Sequence, residues 1–176
     1  MKTIDNWFDE YGESHQNKTN KIIHWICIPL IFWSIIALLS LIPHSYLDVF
    51  PNNLLNELMH WGTVVIILGL LFYLRLSFKI FVGMLFVSIC ILSEICYTLY
   101  LFNSNKFWGL FEYSNINSNE FLFYLAFGIF ILAWILQFVG HKIEGKKPSF
   151  FKDIQFLLIG PAWLLGFIYK KFKINY

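Results

Sequence analysis

Residues 80–102 read IFVGMLFVSICILSEICYTLYLF, and Glu94 is the one charged side chain in this stretch. An α-helix rises about 1.5 Å per residue, so about 20 apolar residues cross the hydrocarbon core of a bilayer. Backbone groups in lipid must satisfy their hydrogen bonds within the protein, which a helix does by itself. The stretch therefore predicts a membrane-spanning helix.

Four other apolar runs are arranged around this one. Residues 25–43, 61–76 and 121–139 are each long enough, or nearly so, to cross a bilayer. Residues 154–169 form a shorter run that Gly160-Pro161 interrupts. Proline removes one backbone donor and disfavours a continuous helix, so this last run predicts a helical hairpin. The fold class predicted is an all-α, multi-pass transmembrane helical bundle.

Composition supports the membrane assignment. The 176 residues are 58% hydrophobic and 14% charged, whereas soluble domains carry about 25% charged residues. The formal net charge of +2 gives no reason to expect a nucleic-acid partner. A polar N-terminal segment, residues 1–24, precedes the first apolar run, so that run is expected to be retained as an anchor. We expect one integral membrane domain over residues 1–176, with the bundle at 25–140 and a polar motif and hairpin at 141–176.

The basic residues orient the predicted spans. Of the 13 Lys and Arg residues, 12 fall on one predicted side, and the exception is Lys106. Because positive charge is retained on the cytoplasmic side, this distribution predicts four spans with both termini cytoplasmic. The C-terminal run would then be a re-entrant or interfacial hairpin, and a fifth span is the alternative. A bacterial inner membrane or the endoplasmic reticulum would suit this topology.

The first polar motif stands just before the first apolar run and reads His15-Gln-Asn17-Lys-Thr-Asn20-Lys21-Ile-Ile-His24. If a helix begins near Asn17, then Asn17, either Asn20 or Lys21, and His24 share one face. His15 would lie on the loop that leads into this helix. Taken alone, the motif is equally typical of a purely structural helix start.

The second polar motif follows the fourth run and reads Gln137-Phe-Val-Gly140-His141-Lys-Ile-Glu144. Histidine and glutamate three residues apart on a helix can reach one metal ion. Taken alone, an exposed helix end explains the motif more simply. The predicted topology, however, brings both motifs to one face of the membrane. The predicted metal ligands are therefore His15, His24, His141 and Glu144, a donor set that suits Fe(II) and also zinc.

Other polar residues are assigned to different places. His44 and His60 lie on the opposite predicted face and are interpreted as interfacial residues. Glu94 is an acidic residue inside a predicted span. An ionised group is costly there, so Glu94 is a functional candidate. A packed polar patch with Ser88 and Ser93 is the alternative interpretation. No cysteine spacing is typical of a thiolate zinc site.

Both motifs resemble the signatures of the membrane 2-hydroxy fatty acid dioxygenases. The resemblance rests on two groups of residues. The first is Tyr11, His15-x-Asn17-x-x-Asn20-Lys21-x-x-His24 and Ile28-Pro29; the second is Trp134-x-x-Gln137-Phe138-x-Gly140-His141, Glu144, Pro148 and Pro161. The middle of the chain matches only as hydrophobic spans. One departure is that Glu144 follows His141 by three residues, where the family has four.

The resemblance implies an Fe(II)-dependent enzyme of fatty acid α-oxidation, with a 2-hydroxy fatty acid, O2 and membrane lipids as partners. Such an enzyme removes one carbon from its substrate. A 2-hydroxy acid can chelate iron through its carboxylate and hydroxyl while its tail stays among the helices. Asn17, Asn20 and Lys21 are the residues expected to hold the carboxylate. Two alternatives remain: a non-catalytic membrane scaffold or small transporter, and a zinc-dependent lipid hydrolase.

Overall fold

The structure is a computed structural model that describes residues 2–43, 58–104, 116–147 and 155–176. All regular structure in these residues is helical. The helices are α1 (Ile4–Gly12), α2 (Lys18–Ser40), α3 (Trp61–Leu76), α4 (Phe78–Asn103), α5 (Ser118–Glu144) and α6 (Phe156–Lys171). The predicted all-α class is thus confirmed for the described residues. By length and composition, α2, α4 and α5 can cross a membrane, and α3 is a shorter apolar helix.

Local capping explains why α2 and α5 extend beyond the predicted spans. The Asn17 side chain accepts hydrogen bonds from Thr19 N and Asn20 N, which starts α2 inside the first polar motif. Gly145 ends α5 after the second motif with a φ of 75°, a left-handed conformation that glycine adopts easily. Hydrophobicity marks the part of a helix that lies in lipid, whereas these caps mark its true ends.

The bundle is organised around α2. This helix packs most extensively on α5 and also on α3, which pairs with α4. A cluster of buried aliphatic side chains joins these four helices at one end of the bundle: Ile36, Ala37, Ile66, Ile95, Leu122 and Ala126. A larger apolar cluster lies at the opposite end, where α2 begins, α5 ends, and α1 and α6 are located.

Helix α6 lies beside α1 at that second end of the bundle. The ring centroids of Trp7 and Phe156 are 5.3 Å apart, and Gly166 packs directly on the ring of Phe8. The Tyr169 hydroxyl donates to Lys79 O at 2.8 Å, on the first turn of α4, directly after its connection to α3. The N-terminal segment, the α3–α4 connection and the C-terminal tail therefore meet at one end of the bundle.

The predicted hairpin was wrong where it placed a break at Gly160-Pro161, because α6 continues through this pair. Pro161 lacks the N–H that would bond to Leu157 O, so the helix loses one hydrogen bond and its turn loosens. The Tyr73 hydroxyl donates to Leu158 O at 2.7 Å, which gives a carbonyl of the loosened turn a partner from α3. Residue 154 and His44 lie outside the described residues.

Candidate metal centre

His15 lies on the short connection between α1 and α2, and its ring is fixed from two sides. The ring stacks on Tyr11 with centroids 4.2 Å apart and planes 14° from parallel. Its Nδ1 lies 2.6 Å from Tyr11 O. A carbonyl oxygen only accepts, so Nδ1 carries the proton and the lone pair is on Nε2. That Nε2 is buried and has no hydrogen-bond partner within the described residues.

His24 is held in the same manner on the first turns of α2. Its Nδ1 lies 2.9 Å from Asn20 O, which places the proton on Nδ1. Its Nε2 faces Nε2 of His141, on the last turn of α5, at 3.2 Å. Two lone pairs at this distance repel each other unless a proton or a cation lies between them. The Nδ1 atom of His141 is a second buried ring nitrogen without a partner in the described part of the chain.

The three rings form one compact group. One nitrogen from each of His15, His24 and His141 lies within 4.8 Å of the other two, and all three residues are buried. No other such group of His, Cys, Asp or Glu occurs among the described residues. The structure thus brings together the three predicted histidines, although 117 positions of sequence separate His24 from His141.

The donor chemistry fits a metal ion. Two imidazole nitrogens bound to one ion at about 2.1 Å stand roughly 3.0–3.4 Å apart at octahedral to tetrahedral angles, and the His24–His141 separation of 3.2 Å falls in this range. Backbone carbonyls on Nδ1 of His15 and His24 fix the tautomer that points Nε2 at the ion, as outer partners of metal-bound histidines do. Burial, reinforced by the nearby His24, lowers the pKa of His15 to about 3, so its ring is neutral at pH 7.

Glu144, the fourth predicted ligand, is not part of this group. Both of its carboxylate oxygens accept hydrogen bonds from the segment that starts α2: from Gln16 N and Asn17 N at 2.8 Å each, and from Asn20 Nδ2 at 3.0 Å. Charged hydrogen bonds of this kind are among the strongest in proteins. In this structure Glu144 fastens the end of α5 to the start of α2, which aligns the helices that carry His141 and His24.

The residues predicted to hold the substrate carboxylate differ in what surrounds them. Asn17 caps α2 with its side chain. Asn20 is fully buried, and its amide donates to Ser14 O at 3.1 Å and to Glu144. Lys21 is half-buried and lines a polar cavity of about 190 Å³ that His15 also borders. Of the three, Lys21 lines this cavity, while both asparagine side chains make hydrogen bonds around the start of α2.

The three rings border a separate small cavity of about 60 Å³. Its other lining includes Tyr11, the buried Gln137 one turn before His141, and the Gly160-Pro161 pair of α6. Apolar side chains of α2 complete the wall. The cavity has room for a small polar group, and its surroundings exclude bulk water from the histidines.

Comparison with known protein families assigns the chain to a family. Residues 1–172 match the family described as 2-hydroxy-palmitic acid dioxygenase Mpo1-like. The chain belongs to this family. The suspected family is thereby confirmed, and its name is that of a dioxygenase acting on a 2-hydroxy fatty acid. No curated protein and no solved structure matches the chain.

The site also has a neighbour that the polar motifs alone did not predict. Trp163 of α6 lies 5.3 Å from the His15 ring and 5.2 Å from Tyr11, measured between ring centroids. Inside an apolar run, no periodicity distinguishes this tryptophan from a lipid-facing one. His60 lies apart from the group, and its side chain caps α3 by accepting from Thr63 N at 3.3 Å.

Proposed function

We propose that this protein is an Fe(II)-dependent dioxygenase that converts long-chain 2-hydroxy fatty acids to acids one carbon shorter. The observation that carries the proposal is the buried group of three histidines at one end of an apolar helical bundle, in which His15 and His141 each have a ring nitrogen without a partner among the described residues. Three protein ligands leave open positions for a chelating substrate and O2, which is typical of non-haem iron oxygenases. Iron in such a site supplies the activation of O2 that the reaction requires.

The protein's own residues have three roles in this proposal. His15, His24 and His141 hold the metal, and Glu144 assists from outside the ligand set by holding α5 against α2. Lys21 attracts the substrate carboxylate through its positive charge at the polar side of the site. Asn17 and Asn20 act by positioning, since their side chains are engaged at the start of α2.

The same proposal places the site at a membrane interface. Four spans with both termini cytoplasmic, and α6 beside α1 at the interface, would put the histidines at the level of the lipid head groups. The contacts among α1, α6 and the α3–α4 connection at one end of the bundle support an even number of spans before α6. A 2-hydroxy fatty acid could then react without leaving the bilayer.

The decisive experiment uses anaerobically purified, iron-loaded protein in nanodiscs. Incubation with 2-hydroxypalmitate and O2 is expected to give the acid one carbon shorter, detected by mass spectrometry, together with O2 uptake. Palmitate offers only a carboxylate and 3-hydroxypalmitate makes a larger chelate ring, so neither should be shortened. An iron-replete preparation that consumes no O2 and shortens no 2-hydroxy acid across chain lengths would refute the proposed reaction.

A zinc-dependent lipid hydrolase is the second candidate, and one observation favours it. With Glu144 engaged elsewhere, the group is composed of histidines alone, and three histidines also form catalytic zinc sites. Metal analysis of the anaerobic preparation separates the two candidates. Zinc at one equivalent, with ester hydrolysis and no O2 uptake, would replace the dioxygenase assignment.

A further inference from the structure

An apolar groove of about 590 Å³ lies between α2, α4, α5 and α6, on the lipid side of the histidines. Its described lining is aliphatic and aromatic apart from the Cys90 thiol and one charged residue, Glu94. A groove of this composition excludes polar ligands and fits a hydrocarbon chain.

The groove borders the cavity at the histidines. Ile28, Phe32 and Pro161 line both, each serving as a wall between the two spaces. A ligand that displaces these side chains can place a small polar head among the rings and its apolar remainder in the groove. The histidine cavity, at about 60 Å³, has no room for the bulky head group of a phospholipid, which makes a single-chain acid the fitting occupant.

The groove extends along α4 and α5. Met84 and Glu94 both line it and stand about 15 Å apart along α4, at about 1.5 Å of rise per residue. On α5, Leu125 lines it about 24 Å along the helix from His141 by the same measure. A chain whose carboxylate lies at the histidines and whose tail follows the groove would therefore run towards Glu94.

Glu94 gives the groove a polar end. Its side chain is exposed, and Oε1 accepts from the Thr98 hydroxyl at 3.0 Å. A methyl end that advanced past this point would strip solvent or polar lipid from a carboxylate, which is unfavourable, whereas each methylene before it gains from burial.

We propose that this groove holds the acyl tail of the substrate and that Glu94 sets the longest tail it accepts. The inference rests on the proposed function for its substrate class. It assigns a specificity-determining role to an intramembrane acid that lies outside both polar motifs.

Photolabelling tests where the tail lies without requiring turnover. Two 2-hydroxy fatty acid probes, one with a diazirine at the terminal carbon and one with it near the head, are bound anaerobically to iron-loaded protein in nanodiscs. The terminal probe should label the Cys90–Glu94 region, and the other should label the Ile28–Phe32 region. Excess unlabelled 2-hydroxy acid should suppress both labels, whereas excess phospholipid should not.

The possible failures are distinguishable. Labels spread over the lipid-facing surface, or labels that 2-hydroxy acid does not displace, would overturn the groove assignment even in an active enzyme. Displaceable labels at the expected places in a protein that never shortens the acid would keep the groove and refute the proposed reaction.

Chain-length profiles test Glu94 itself. Glu94→Leu should move the preferred substrate to longer tails, by about fourfold in relative kcat/KM for each added methylene that becomes buried. Glu94→Gln keeps a polar end and should shift the profile less. Ile129→Trp fills the groove and should disfavour long tails, whereas Ile131→Trp on the outer, lipid-facing side of the same helix should not. Unchanged profiles in both Glu94→Leu and Ile129→Trp would overturn the proposal.

Discussion

Gly140 of α5 packs closely on Asn20 at the start of α2, and its substitution tests how the metal centre is held. A Cβ added at Gly140 would overlap Oδ1 of Asn20. Asn20 cannot simply turn away, because it is fully buried and its amide nitrogen is bonded to Ser14 O and to Glu144. Gly140→Ala must therefore displace Asn20 or separate the two helices that carry His24 and His141.

The expected loss in the free energy of unfolding follows from the two hydrogen bonds that a displaced Asn20 amide can no longer make. The hydrogen bond to Ser14 O is worth about 1 kcal/mol and the charged one to Glu144 about 1.5–3 kcal/mol. Alanine has a higher helix propensity than glycine, which offsets up to about 1 kcal/mol of this loss. The net loss is about 1.5–3 kcal/mol, which lowers the melting temperature by roughly 3–12 °C for a chain of this size. Bound iron should fall as well, because the ligands on α2 and α5 lose their alignment.

Gly128→Ala is the matched control, since it lies on the same helix and an added Cβ there meets nothing within 4 Å. It should keep or slightly raise the melting temperature and leave the metal content unchanged. Both variants are measured in detergent by circular dichroism during heating and by metal analysis after anaerobic purification. If Gly140→Ala matches Gly128→Ala in melting temperature and iron content, the close packing of Asn20 against Gly140 does not hold the metal centre together.

Three further predictions address the ligands, the Glu144 clamp between α5 and α2, and the topology. His24→Ala should deplete bound metal, whereas His60→Ala should keep it and lose only about 1 kcal/mol of helix capping; full occupancy in His24→Ala would refute the ligand assignment. Glu144→Gln should destabilise the fold by about 2–4 kcal/mol through weakened charged hydrogen bonds while retaining much of the metal and its spectrum; stoichiometric metal loss at unchanged stability would instead make it a ligand. Cysteines introduced at Ser104 and Lys173 should react with impermeant reagents from opposite sides of the membrane, and labelling from one side would contradict four spans.

The helical class and the place of each long helix were predictable because lipid imposes a simple requirement on the sequence. A span must be long, apolar and internally hydrogen-bonded, and residues 80–102 satisfy this without any knowledge of their neighbours. The course of α6 was not predictable in the same way. Whether Pro161 breaks a helix depends on what surrounds the loosened turn, and here the Tyr73 hydroxyl comes from another helix.

The histidine group was predictable because the predicted topology brings both polar motifs to one end of the bundle, but the hydrogen bonds of Glu144 were not. Residues that bind a metal and residues that hold the ligands in place occupy the same helix faces, so helical spacing cannot separate them. Which of these two roles a residue has depends on partners that are distant in sequence. Gln16 N and Asn17 N lie 128 and 127 positions from the carboxylate that they bind. Glu144 shares the face of His141, which predicts a ligand from the sequence, and in the fold its carboxylate binds the start of α2. Its role as a ligand stays a prediction.

The two polar motifs are joined by side chains outside the histidine group as well. Glu144 and Asn20 contribute no nitrogen to the histidine group, yet their hydrogen bond joins the helix of His141 to the helix of His24. We expect the 3.2 Å between the two Nε2 atoms to depend on that junction, because the two rings are carried by the two helices that it joins. Loss of the clamp should therefore impair metal retention less than loss of a histidine, and more than any change at His60.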